Sequence, residues 1–364
     1  MNFTVSKEHL QNGINIVSRA LSSKTPMPIL EGILVETTPD GLKLTATNLE
    51  LGIEHTLPAT IAEEGRAVLP GKFFNEVCRR MPDDDIVCSQ RDNTVTLQCR
   101  NARTNLQVTS PEEFPQLPTL DFHTALELEH EVLKDMIQQT TYAIAQDDSR
   151  PILMGVLVEA SGRGITMVAL DSFRLAMRQD VLLQDVEAVK TIIPGKALTE
   201  LGRIVNENDV RMHIGNQHVS VDLGDTRVVM RVMEGEFIHY QQILPKEYQT
   251  RIRVSRTGLD AAVGRVALMA REGQNHLVRF AIKEEQLAIT SNSEIGDALD
   301  ELPIYLEGKE LEISFNSRYL IDALKNVTDD EIIMDFTTAL SPCLMRPGEG
   351  DGFLALILPV RSIA

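Results

Sequence analysis

The chain repeats itself, and this constrains its fold more than any other feature. Pro28-Ile29-Leu30-Glu31-Gly32-Ile33-Leu34-Val35-Glu36 returns 123 residues later as Pro151-Ile152-Leu153-Met154-Gly155-Val156-Leu157-Val158-Glu159, with seven of nine positions identical. Val68-Leu69-Pro70-Gly71-Lys72 is answered at a shift of 124 by Ile192-Ile193-Pro194-Gly195-Lys196. A fainter third copy places Leu277 to Thr290 where the strands after Pro28 stand, and Ile313-Ser314-Phe315-Asn316-Ser317 where the Pro-Gly-Lys segments stand. Repetition at a fixed period means that each copy is one structural unit and that the molecule is an array of such units.

Each copy opens with apolar residues at helical spacing. The series are Leu10, Ile14, Val17, Leu21, then Leu133, Ile137, Thr140, Ile144, then Leu259, Val263, Val266, Ala270. A shorter helix is predicted in mid-copy, carried by Phe74, Val77, Met81, by Leu198, Leu201, Val205, and by Leu320, Ala323, Val327. Between the helices, short alternating runs such as Leu42–Thr47 and Thr94–Cys99 are bounded by turn residues and read as antiparallel strands. Helices that come singly between sets of strands favour an α+β fold over a doubly wound parallel sheet. The expectation is three repeated domains, 1–121, 125–246 and 250–364, each with two helices packed on antiparallel sheets. Linkers are expected near Gln116–Thr124 and Leu244–Thr250, where Pro and polar residues break the pattern.

Catalytic constellations are missing from this sequence. Pro-Gly-Lys at 70–72 and 194–196 lacks the spaced glycine and the Ser or Thr of a phosphate loop. His130-Glu131 does not continue into a zinc-binding helix motif, and Asp83-Asp84-Asp85 after Met81-Pro82 reads as a solvated turn, so no metal is expected. Asp147-Asp148 precedes Arg150 without a second carboxylate pair to act as acid and base, and there is no Gly-x-Ser-x-Gly elbow. Cys78, Cys88, Cys99 and Cys343 form no CxxC spacing and are expected to be reduced and buried. The opening Met1-Asn2-Phe3-Thr4-Val5 goes straight into strand-like alternation, and no apolar run is long enough for a span, so a cytoplasmic protein is expected. No cofactor is called for. A scaffold or binding role is the better class.

The net charge of −18 argues against nucleic acid when taken as a whole. Sorted by region it says something else. The helical segments 6–24, 71–81, 129–150, 195–206, 255–273 and 316–326 together carry +4, although 129–150 alone is −3, which leaves −22 for the remainder. Mildly basic helices inside an acidic shell suit a channel that admits phosphates, and a solvated helix face is the plainer alternative. Helices packed about 9 Å apart put six of them on a circle about 17 Å across, too narrow for duplex DNA roughly 20 Å wide, whereas twelve make about 34 Å. One chain is therefore insufficient to surround DNA, and two suffice.

Several segments together resemble the bacterial DNA polymerase III beta subunit, the sliding clamp family, over essentially the full length. They are Met1-x-Phe3-Thr4-Val5, the 28–35 segment, Thr47-Asn48-Leu49-Glu50, Lys72-Phe73-Phe74, Phe114-Pro115, Ala169-Leu170-Asp171-Ser172-Phe173-Arg174-Leu175-Ala176, Ile243-Leu244-Pro245 and Leu358-Pro359-Val360-Arg361. The resemblance implies a DNA clamp fold that forms a ring as a head-to-tail homodimer, holds duplex DNA without sequence preference, and hydrolyses nothing. It implies as partners the clamp loader complex, the DNA polymerase III alpha subunit, and other polymerases or repair proteins that bind through short linear peptides.

Carried over residue by residue, the family's DNA-facing positions are Lys24, Lys72, Arg79, Arg150, Lys196 and Arg203. Its peptide pocket is Leu153, Leu170, Ser172, Phe173, Arg174, Leu175, Ile238, Gln242, Ile243, Leu340, Pro342, Leu356, Leu358, Pro359, Val360 and Arg361. Its dimer seam is Leu106 with Leu268 and Met269. This chain departs from the family at Ser172-Phe173, where Gly-His is commoner, at Gln242, where a basic residue is usual, and in Ser362-Ile363-Ala364, which run past the usual end toward the pocket. A cytoplasmic repeat scaffold that binds peptides without encircling DNA, and an enzyme whose site is assembled across copies, are the competing readings.

Overall fold

A computed structural model describes residues 1–22, 25–118, 124–205, 209–272, 276–350 and 352–361. It has six α-helices among these residues: α1 (Lys7–Val17), α2 (Gly71–Arg80), α3 (His130–Thr141), α4 (Gly195–Gly202), α5 (Arg256–Glu272) and α6 (Ser317–Leu324). All strand pairs are antiparallel, as the alternation predicts. In each copy a strand (Asn2–Ser6, Thr124–Leu128, Thr250–Ser255) leads into the first helix, and the second helix follows the segment that repeats Pro-Gly-Lys.

Local chemistry starts and stops these helices. The Ser6 hydroxyl accepts from His9 N–H at 3.2 Å and caps α1, and the Asn316 carboxamide accepts from Arg318 N–H at 3.0 Å and caps α6. Several helices end before the apolar series does. α1 gives way to a 3-10 turn at Ser18–Ala20, so Leu21 lies beyond it; Met81, Ile144, Val205 and Val327 likewise follow their helices. Met81, Ile144, Val205 and Val327 are nevertheless buried and Leu21 is half-buried, because a tightened last turn still points its side chain at the core. The repeated Gly32 and Gly155 have a steric cause. A Cβ would lie 2.3 Å from the Val68 side chain at the first and 2.6 Å from Ile192 at the second.

The chain divides into two compact units, Met1–Glu131 with Glu200–Val232, and Val132–Thr199 with Met233–Ala364. The first unit holds a five-stranded sheet, whose outer strands are Thr60–Glu63 and Ala102–Gln107, and an eight-stranded sheet. The eight-stranded sheet is continuous between copies because Thr226–Arg231 pairs with Leu51–Leu57, in the register Thr226 to His55 and Met230 to Leu51. The second unit holds a seven-stranded sheet and a four-stranded sheet, the latter with Gly296–Pro303 at one edge. In the seven-stranded sheet Phe353–Ile357 pairs with Arg174–Pro194, in the register Arg174 to Ile357 and Arg178 to Phe353. Its core contains the buried face of α5 (Leu259, Val263, Val266, Ala270) together with Phe280, Phe315 and Phe336. The four cysteines are all buried.

Candidate functional site

In the second unit one apolar cluster gathers Leu153, Leu170, Leu175 and Leu356, all buried, with Ile238 packed partly exposed against them. Four elements supply the buried side chains, the 3-10 turn Pro151–Met154, the strand ends at Leu170 and Arg174, and the last strand, Phe353–Ile357, while Ile238 comes from the loop after Thr226–Arg231. The chain after that strand is held in place by its backbone. Leu358 N–H donates to Phe173 O at 2.9 Å, and Val360 N–H donates to Ser314 O at 2.8 Å, which fixes Leu358, Pro359 and Val360, each half-buried. Ser172, Gln242, Arg361, Ile243 (40% exposed) and Leu340 (66% exposed) lie on the surface outside the buried cluster, and Pro342 is half-buried just before the strand Cys343–Pro347. Ser362 to Ala364 lie outside the described residues.

Arg174 is the most constrained polar group of this set. Asp171 closes the turn, with Oδ1 accepting from Phe173 N–H at 2.7 Å and Arg174 N–H at 3.0 Å, and Oδ2 accepting from Arg174 Nε at 3.1 Å. Arg174 Nη1 then donates to Asp322 of α6 at 2.6 Å. Its guanidinium lies 4.9 Å from the Tyr319 ring centre and 5.5 Å from that of Tyr142, within range of cation–π attraction. Phe173, 53% exposed, stacks on the other aromatic partner, Tyr319, at 5.7 Å. Burial holds the Tyr142 phenol protonated, well above its usual range. Sequence reasoning missed Tyr142, Tyr319 and Asp322, since nothing in their spacing relates them to Asp171-Ser172-Phe173-Arg174. It also missed Phe237 and Tyr240, which are buried in the same apolar cluster.

The expected DNA-facing residues lie on or next to helices. Lys72 and Arg79 are exposed on α2, Lys196 is exposed on α4, Arg203 follows α4, and Arg150 is exposed ahead of the 3-10 turn at Pro151. Lys24 lies outside the described residues. Superposing the second helices on their shared start aligns Lys72, Glu76, Arg79 with Lys196, Glu200, Arg203 and with Arg318, Asp322, Lys325. A base, an acid four residues on and a base three further thus recur in all three copies, a signal that extending the repeat alignment by one helix finds. Of the expected seam residues, Leu106 is half-buried on the edge strand Ala102–Gln107, and on α5 Leu268 is 55% exposed and Met269 half-buried. No group of three or more metal-binding side chains occurs among the described residues. The Asp83–Asp85 turn is tied down by Arg100, whose Nε donates to Asp84 at 2.7 Å.

Comparison with known proteins assigns the chain. Family models for the N-terminal, central and C-terminal domains of the DNA polymerase III beta subunit match residues 1–118, 127–238 and 241–361. The beta sliding clamp of Staphylococcus aureus is 33% identical over 376 residues, and that of Staphylococcus epidermidis is 32% identical over 375, both covering 100% of each chain. The crystal structure of the DNA polymerase sliding clamp from Bacillus subtilis superposes with a TM-score of 0.96 at 32% identity, covering 100% of this chain and 99% of that one. The DNA polymerase III beta subunit of Thermotoga maritima gives 0.94 at 28% identity, covering 99% of each. The chain belongs to the DNA polymerase III beta subunit family, the sliding clamps. Its function is accordingly that of a processivity factor for DNA synthesis, without an active site of its own.

Proposed function

We propose that two copies of this chain close head to tail into a ring that surrounds duplex DNA, slides along it, and tethers the replicative polymerase and other proteins through the Arg174 pocket. The observation that carries the reading is the way copies already join within one chain. At each internal junction, the strand after the Thr47-Asn48 or Leu170-Asp171 turn pairs with the last strand of the following copy, Thr226–Arg231 or Phe353–Ile357. The third copy's strand of the first kind, Gly296–Pro303, and the first copy's strand of the second kind, Ala102–Gln107, are sheet edges that pair on one side only. A long unpaired edge invites a partner strand, and the partner with the matching edge is a second copy.

The internal junctions also predict the register of this seam. Val95, Val219 and Cys343 pair with Leu106, Met230 and Ile357, which makes these last three equivalent. Met230 faces Leu51, and the sheet pairings align Leu51 with Gly296. Leu106 of one protomer therefore faces Gly296 of the next, and Arg103 faces Leu299, flanked by the exposed Asp297 and Glu301. A Cβ at Gly296 would lie 4.0 Å from Met269 Sδ, so Leu106 enters beside Met269, with Leu268 on the same helix. This reading brings Leu106 to Met269, with Leu268 next to Met269 in the chain.

Within the ring the three domains of each chain, 1–121, 125–246 and 250–364, line the hole with their helices. Lys24, Lys72, Arg79, Arg150, Lys196 and Arg203 meet phosphates weakly and without sequence preference, as sliding requires. Apolar peptide anchors seat among Leu175, Ile238, Leu358 and their neighbours, the peptides coming from the polymerase alpha subunit, other polymerases, repair proteins and the clamp loader that opens the ring. The setting is the cytoplasm; no described helix is long and apolar enough to cross a membrane. Retention after loading on nicked circular DNA, compared with the same DNA linearised, tests the reading. A species of twice 40.5 kDa that stays on circles and runs off linear ends is the expected result. Equal loss from both, or a monomer, refutes the ring and leaves the scaffold reading.

A further inference from the structure

The repeated acid in the second helix pairs with exposed arginines in the first two copies. In α2, Glu76 Oε1 accepts from Arg79 Nη2 at 3.0 Å, and Glu76 Oε2 lies 3.5 Å from Arg80 Nη2. In α4, at the equivalent position, Glu200 Oε1 accepts from Arg203 Nη1 at 2.5 Å and Glu200 Oε2 from Arg19 Nη1 at 3.0 Å. In both copies one carboxylate thus holds two arginines, one of them supplied by the same repeated position. The arginine side chains at 79, 80 and 203 are more than half exposed, and pairs of this kind add only a few tenths of a kcal/mol to a helix. The fold does not depend on these exposed pairs, and only the half-buried Arg19–Glu200 pair ties distant segments together. The third copy shows what happens when the acid is used for structure: Asp322 is drawn to the nearly buried Arg174 instead.

We propose that Glu76 and Glu200 set how strongly the ring holds DNA, by occupying arginine donors that a backbone phosphate must otherwise win. The proposal rests on the reading of these helices as the lining of the hole. Each carboxylate is a phosphate mimic of fixed position. Contact with DNA becomes an exchange of one anion for another, with little net gain at any single register, and that leaves the duplex free to move past. Arg79 and Arg203, counted from the sequence as plain cations, are in fact half-neutralised. The weakness of the DNA contact is then a built-in property of the helices and not just the result of an acidic chain.

The experiment compares the full-length two-chain protein with the double variant E76Q/E200Q, which keeps size and one acceptor while removing the charge. The probe is a fluorescent blunt duplex, titrated over a range of KCl concentrations. Each additional phosphate neutralised steepens log Kd against log salt by about 0.9. The double variant, with two acids removed per chain, is expected to steepen that slope by about 2 to 4 and to tighten low-salt binding by about tenfold or more, at unchanged mass. Its diffusion on loaded circles is expected to slow correspondingly. Unchanged slope and affinity in E76Q/E200Q overturns the proposal. The companion variant R79A/R203A separates this failure from that of the lumen reading. If R79A/R203A weakens binding while E76Q/E200Q changes nothing, the helices line the hole and only the tuning role is refuted. If R79A/R203A also binds as the parent does, the lumen assignment falls and the tuning role falls with it.

Discussion

Replacing Leu106 by Asp tests the proposed seam where its edge strand meets α5. Leu106 is half-buried on its own edge strand, so docking against Gly296 and Met269 of the partner removes the remaining part of its surface from water. Full burial of a leucine is worth about 1.5–3 kcal/mol, which leaves about 1–2 for the step of association. The carboxylate that replaces it is desolvated beside Asp297, at a further loss of about 1–3 kcal/mol. A two-chain ring contains the seam twice, so the change weakens association by about 4–10 kcal/mol, or at least about a thousandfold in Kd. Sedimentation velocity across nanomolar to micromolar concentrations reads this directly. The parent is expected at twice 40.5 kDa and the variant at 40.5 kDa, with its thermal unfolding otherwise preserved. A variant whose dimer Kd stays within tenfold of the parent refutes the register, since that register buries Leu106 against Gly296 and Met269 of the partner.

Three further outcomes follow from the structure. Arg174→Ala leaves Asp171 and Asp322 without their shared cation in a site where the arginine side chain is 10% exposed; it is expected to destabilise the second unit by about 3 kcal/mol in a denaturant titration and to abolish peptide binding, and a neutral effect on both shows that the ties across Arg174 are dispensable. Desolvation lowers the pKa of His55 below 6.5, opposed by nearby Asp225, while its Nδ1 lies 2.8 Å from Thr226 Oγ1. The unfolded chain therefore takes up the proton first, and the stability that neutral His55 contributes is complete above pH 6.5 and lost as pH falls from there through the lower folded pKa; denaturation midpoints at pH 7.5 and 5.5 should converge in His55→Gln, and an unchanged pH dependence rules out this residue as its source. Burial pushes the Cys78 and Cys88 thiols up to about 12, so at pH 8 neither reacts with iodoacetamide until the protein unfolds; prompt native-state labelling of either by mass spectrometry refutes that burial.

Much of the fold was legible in the residues because its signals are local. The buried positions of α5 follow the predicted Leu259, Val263, Val266, Ala270 series, and the repeated Pro-Gly-Lys and Asn316-Ser317 segments do stand at the starts of α2, α4 and α6. Helix ends were less legible, since Ile144 and Val205 keep the apolar period after the hydrogen-bonded turns stop. Of the apolar pocket residues that came from family likeness, Leu153, Leu170, Leu175, Ile238 and Leu356 are gathered into one cluster, whereas the aromatic and acidic setting of Arg174 comes from Tyr142 just after α3 and from α6, about 30 and 150 residues away in sequence.

The sequence by itself determined the three copies, their six helices, their antiparallel strands and their buried thiols, because amphipathic period and turn chemistry are written within a dozen neighbouring residues. Only the tertiary structure decided how the copies join. Edge strands pair through backbone N–H and C=O groups that every residue carries, so the side chains of Leu51–Leu57 and Thr226–Arg231 do not announce one another in the sequence. Those pairings carry sheets across copy boundaries, divide the chain into two compact units, and leave Ala102–Gln107 and Gly296–Pro303 as sheet edges. The pairing of Arg19 with Glu200 is decided at the same level, since folding brings together residues 181 apart in sequence, whereas Glu76 with Arg79 and Arg80, and Glu200 with Arg203, are near neighbours along the chain.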